Sequence, residues 1–251
     1  MVVVFSVLVL VSGFFAFSSI GVSFSDLSNI QYNNKSLANG TSKTYTLNNF
    51  SQVEFKTFGN LSLVKSDKNE LKIESDKDYI DKLQPSQIGK TIYIDSPKLN
   101  IKFWQKPNEV MYTLYYNGQL EKIDVRGSGD ITAFDVASSD LKLSVFGSGD
   151  ITVRQAKIET LGVLIAGSGN IKLDGECKRS DVEISGSGDV VAGDMKCAEG
   201  SAVVKGSGNS LVNISDKLKA SVFGSGNIDY AGQPRIDKET KGSGEIRQIQ
   251  Q

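Results

Sequence analysis

Gly127-Ser128-Gly129-Asp130 returns along the chain as Gly147 to Asp150, Gly167 to Asn170, Gly186 to Asp189, Gly206 to Asn209, Gly224 to Asn227 and Gly242 to Glu245. The intervals are 20, 20, 19, 20, 18 and 18 residues. A fixed period of this length marks a stacked repeat, and here it predicts an all-β, single-domain parallel β-helix, or β-solenoid.

The residues around each turn supply the coil. Two positions before the first glycine stand Val125, Val145, Ile165, Ile184, Val204 and Val222, and four before it Ile123, Leu143, Val163, Val182, Ala202 and Ala220. Mostly polar residues such as Lys142, Ser144, Glu183 and Ser221 lie between them, which is the period of two of a strand with one buried face. Ile131, Ile151, Ile171, Val190 and Ile228 open a second strand after the turn. Each coil therefore reads strand, Gly-Ser-Gly turn, strand and looser corner, 18–20 residues in all. One coil cannot bury its apolar face alone. Stacking at roughly 4.8 Å per coil joins the faces into one core, about 29 Å long over the six intervals. The glycines are expected where a sharp corner needs positive φ or close backbone approach.

The acid or amide after each turn admits two readings. Stacked Asp and Asn form a structural ladder, with the amides relieving repulsion between carboxylates. Alternatively the row holds a cation weakly, as glycine-aspartate nonapeptide rolls do, although those turn about every nine residues. No metal or cofactor site is assigned on this basis, and the ladder is the expectation.

Composition narrows the chemistry. The 251 residues carry a net charge of −1 and no histidine. Ser-His-Asp and Cys-His nucleophile systems and histidine-ligated metals are excluded, and the lack of a long basic run argues against nucleic acid. Two cysteines, Cys177 and Cys197, each lie nine residues before a turn, so they fall on neighbouring coils. They are either disulfide-bonded or free and buried.

Residues 2–24 carry no charge. They read as a secretory signal cleaved near Ser18 or Ser23, or as an uncleaved membrane anchor. With no cysteine after the run, a lipoprotein anchor is not expected. Residues 25–43 read as a polar tether. Residues 44–125 alternate as strands over 44–50, 53–58, 61–65, 71–74, 91–95, 101–104 and 110–116, with one helical turn over Asp78–Leu83. They are expected to begin the solenoid with irregular coils and to cap the regular repeats of 126–249. At the other end Lys238, Glu239 and Lys241 blunt the exposed edge.

The repeated GSG[D/N][I/V], the opening Phe50-Ser51-Gln52-Val53 and the closing Tyr230-Ala231-Gly232-Gln233-Pro234 ahead of Gly242-Ser243-Gly244 together resemble the family "Putative auto-transporter adhesin, head GIN domain" over 44–249. The resemblance implies an exported, right-handed β-helical domain of a bacterial envelope, and it supplies no catalytic, cofactor or metal residue. The chain departs from it in the insert-like stretch 98–119.

Three functions follow as expectations. The first is a non-enzymatic adhesin or envelope-interaction domain, with a surface polysaccharide or an envelope protein as partner. The second is a membrane-anchored envelope scaffold or regulator. The third is a polysaccharide-active enzyme, which the scattered carboxylates disfavour because such enzymes group them in a groove. The place of action is the cell surface, the outer membrane or the periplasm. The contact residues expected first are Trp104, Tyr112, Tyr115 and Tyr116, an aromatic cluster whose alternation equally fits the core. Phe146 and Phe223, just before turns, pack a corner or form an exposed patch.

Overall fold

The structure is a computed structural model and describes residues 40–96 and 109–250. The proposed signal or anchor, most of the tether, the strand expected over 101–104 and Trp104 lie outside the described residues.

In chain order the elements are β1 (Thr41–Thr46), β2 (Gln52–Lys56), β3 (Asn60–Lys65), β4 (Glu70–Ser75), α1 (Lys77–Ile80), β5 (Ser86–Ile88), β6 (Thr91–Asp95), β7 (Met111–Tyr116), β8 (Lys122–Val125) and β9 (Asp130–Phe134). The regular part follows as β10 (Ala137–Val145), β11 (Ile151–Ile165), β12 (Ile171–Ile184), β13 (Val190–Val204), β14 (Ser210–Val222), β15 (Ile228–Ala231), β16 (Arg235–Thr240) and β17 (Ile246–Gln248). All seventeen strands belong to one sheet wound on itself, a β-solenoid.

Register follows the sequence period. Leu143 pairs with Val163, Val163 with Val182, Val182 with Ala202 and Ala202 with Ala220, all in parallel. The alternating apolar positions thus fall in columns and are almost wholly buried. In the middle coils the looser corner is not a break. β11 to β14 each run through a corner as one hydrogen-bonded strand, absorbing the bend in bulges between Val153 and Ala156 and between Lys172 and Asp174.

The irregular part is stacked out of chain order. β2 and β3 lie on β8 and β9, with Val53 beside Ile123 and Leu61 beside Ile131. On their other side lie β6 and β7, with Val53 beside Ile92 and Leu61 beside Tyr112. Nine layers result, running from β6/β7 through β2/β3 and β8/β9 to β16/β17. The first end is closed by antiparallel strands, since β4 pairs with β7, β1 with β4, and β5 with β6. These strands form the first layers of the sheet and close its end. The interleaving was not foreseen, because local alternation carries no information about which strand a strand will pair with. The helical turn is present as α1, and it buries Tyr79 and Ile80.

The reason for the turn glycines needs correcting in part. None of the Gly-Ser-Gly glycines has positive φ; left-handed backbone in the repeats falls at the other corner, at Asp135, Gln155, Gly175 and Gly232. The turns are sharp because they stack tightly. A Cβ on Gly147 would lie 2.0 Å from the carbonyl oxygen of Gly127, and one on Gly167 would lie 2.0 Å from that of Gly147.

Candidate functional site

The turn edge comes first, since every coil repeats it. The side-chain oxygen of Asp130 accepts the backbone N–H of Asp150 at 2.8 Å. Asp150 accepts that of Asn170 at 2.7 Å, Asn170 that of Asp189 at 2.9 Å, and Asp189 that of Asn209 at 2.6 Å. Asn209 and Asn227 continue the row to Glu245. Each member uses its oxygen on the next coil, so the row is a structural ladder. Among the described residues, no group of three or more acids, cysteines or histidines is placed to hold a metal. The serines of the seven turns line the same edge and are exposed.

The expected aromatic contact cluster does not form one surface. Tyr112 and Tyr116 are buried, Tyr112 edge-on to Phe55 at 5.2 Å between ring centroids. Burial pushes the Tyr112 phenol far above the usual tyrosine range and raises that of Tyr79 as well. Only Tyr115 of the three faces outward, with the Lys68 ammonium 4.6 Å from its ring centroid. Strict alternation along β7 is the cause. Phe146 and Phe223, by contrast, are exposed at 39% and 41%, the Arg126 guanidinium standing 4.3 Å from the Phe146 centroid and the Lys241 ammonium 5.7 Å from that of Phe223.

Many outward charges are paired with a neighbour. Asp174 accepts from Arg154 Nε at 3.0 Å and from the N–H of Gln155 at 2.6 Å, which holds the left-handed corner. Arg247 clasps Asp229 with two nitrogens, at 2.8 and 3.1 Å. Hydrogen bonds from Arg179 and then Ser201 hold the Asp181 carboxyl below its usual range, and Lys205 does the same for Glu183.

One surface carries a groove. It is the outward face of the strands that precede the turns, over layers four to seven. A shallow groove of about 330 Å³ crosses it, with Gly162 and Leu164 on its floor and Lys142, Asp181, Glu183 and Val203 at its sides. The sequence reading missed it. Its signal was available: Leu164 and Val203 are apolar where alternation asks for polar residues, and Gly162 sits mid-strand.

Residues 49–234 match the protein-family description "Putative auto-transporter adhesin, head GIN domain". The chain belongs to that family. Crystal structures resemble this head GIN domain closely in fold. A putative adhesin from Bacteroides fragilis NCTC 9343 superposes with a TM-score of 0.78 at 22% identity, covering 85% of this chain and 99% of that one. A protein from Parabacteroides distasonis ATCC 8503, described as a putative lipid binding protein, gives 0.67 at 21%, covering 84% and 97%. A putative adhesin from Parabacteroides merdae ATCC 43184 gives 0.67 at 18%, covering 84% and 96%. Among curated proteins none matches the chain. The family and the first of these neighbours carry adhesin names rather than enzyme names. At these identities the neighbours establish the fold of the head GIN domain and nothing about its ligand.

Proposed function

We propose that this head GIN domain is an exported, non-enzymatic interaction module of the cell envelope, acting as an adhesin through the outward face around Leu164. The observation that carries the reading is the shallow groove on that face. The groove over Gly162 joins an apolar floor to charged sides, where Arg179 and Lys205 hold Asp181 and Glu183 in place. Such a mixture suits contact with an extended partner, a surface polysaccharide or an envelope protein. The Cys177–Cys197 disulfide supports export, since such bonds persist in oxidising compartments. The apolar stretch 2–24 supports it too.

The name of the P. distasonis neighbour raises lipid as a ligand. Within the coils around the disulfide, the space between Leu161, Leu173, Met195 and Ile214 is about 10 Å³, scarcely one water and too small for an acyl chain.

Protease shaving of intact cells, with detection of both ends of the chain, tests the proposal. Digestion from outside, together with glycan or matrix binding lost on Leu164→Asp, supports an adhesin. Protection until the outer layer is breached favours the membrane-anchored scaffold instead.

A further inference from the structure

The two ends of the sheet are finished differently. At the first end, antiparallel β4 and β5 lie on β7 and β6. At the other, β16 pairs with β14 and β17 with β15, and among the described residues no strand lies on their far side. A bare edge of free N–H and C=O groups is a template on which another chain can continue the sheet.

The core columns change character at that edge. Layer eight turns Leu218, Ala220, Val222, Ile228 and Tyr230 inward, all of them buried. Their register partners in layer nine are Ile236, Lys238, Thr240, Ile246 and Gln248. Parallel register keeps a column on one side of the sheet, so Lys238 is directed to the core side, in line with Ala220. Glu239 and Lys241 are placed otherwise. They lie on the outward side and pair with each other at 2.6 Å.

The polar groups of layer nine reach back into the rod. The Lys238 side chain crosses the mouth of the last coil from β16 to β17, where its ammonium donates to the Ile246 carbonyl at 3.4 Å and stands 4.9 Å from the Tyr230 ring centroid. Gln248 donates to the Gly232 carbonyl at 2.7 Å, and Arg247 clasps Asp229. Tyr230, the last aromatic of the core, lies beneath them and is buried.

A second copy adding a strand to β16 or β17 would enclose the Lys238 ammonium between two layers. One long hydrogen bond and a ring face are its partners there, and burying an ammonium without a carboxylate is costly. An inward-pointing charge is one of the devices that protect a sheet edge.

We infer that Lys238, supported by Gln248 and Arg247, is a stop that keeps a second copy of this chain from continuing the sheet at β16/β17 and so holds the rod at nine layers. The inference is independent of the adhesin reading, which would survive its failure.

The test uses the purified full chain. Lys238→Ala, Thr240→Val and Gln248→Tyr together repeat the inward residues of layer eight. In sedimentation velocity the parent should remain a single species, and the triple variant should associate at concentrations at least about tenfold lower than any at which the parent does. Lys238→Met removes the charge and keeps the reach, so it should associate as well, whether or not the triple variant folds; Lys238→Arg should not. The two native cysteines are joined, so Asp237→Cys on β16 adds the one free thiol. Oxidation should link that thiol into a dimer in the Lys238→Met chain and not in the parent, while Thr152→Cys, in the middle of the rod, stays monomeric in both. Melting followed by circular dichroism establishes that each variant is folded. A folded Lys238→Met that stays monomeric overturns the proposal. So does equal association of Lys238→Arg and Lys238→Met, equal cross-linking at 152 and 237, or a parent that already joins through 237.

Discussion

Asp150 Oδ1 accepts two hydrogen bonds from Asn170, one from its backbone N–H at 2.7 Å and one from its side-chain amide at 3.1 Å. Asn209 does the same for Asn227, at 3.0 Å for each bond. An amide therefore replaces a carboxylate as the acceptor. Asp150→Asn should be nearly neutral, while Asp150→Ala strands a part-buried N–H and should cost about 1–3 kcal/mol in a urea melt. Equal losses would mean that charge, not the acceptor, matters.

Substituting a turn glycine should depend on its layer. Gly167→Ala drives a Cβ to 2.0 Å from the Gly147 oxygen, with layers packed on both sides, and should lower stability by several kcal/mol, the range of severe core disruption. Gly242→Ala makes a similar clash at 1.9 Å from Gly224, but the last layer can splay. Its loss should be smaller, and the ratio of the two is read by denaturant unfolding.

Cys177 and Cys197 are register partners with Cα atoms 4.5 Å apart, closing a sequence separation of 20. Cys177→Ser with Cys197→Ser should lower stability by about 3 kcal/mol. Reductant should move the parent's unfolding midpoint to that of the double variant and leave the variant unchanged.

Stability should be flat across neutral pH, because no histidine titrates there. Asp181 and Glu183 have folded pKa values below their unfolded ones, so their contribution is present above about pH 4 and lost as pH falls through the folded values. Both are partly exposed, so this acid limb should be shallow. Tyr112 and Tyr79 have folded pKa values above the unfolded value near 10. Their contribution is present below that value and lost as pH rises above it towards the folded values. The alkaline limb should be the steeper one, and Tyr112→Phe should flatten it in melts between pH 9 and 11.

How much was legible in the sequence divides by range. Within a coil, Val163, Gly167 and Asn170 each sit where the period puts them, because strand alternation and turn chemistry are local. The Asp/Asn ladder was also readable, since a fixed period stacks like on like. The order of β6/β7, β2/β3 and β8/β9 was not, because pairing is decided by the whole core. Tyr112 was ambiguous for a different reason: an aromatic in a strand looks the same from either side until the side is known. Leu164 and Gly162 passed unnoticed because they break the pattern by one residue each, in a row that averages as polar.

The interleaving of β2/β3 between β6/β7 and β8/β9 also bears on how the chain comes into being. A ribosome delivers β2 and β3 first, with both of their edges unpaired, and their neighbours arrive only after residues 91–134 have emerged. The rod therefore cannot be laid down coil by coil from its beginning. A nucleus of high contact order must close before residue 134 can serve as a template, and only then does each later repeat add to a finished edge. Until that moment the early strands have no partner on either edge, and afterwards the rod can grow in one direction only, each repeat built on the one before.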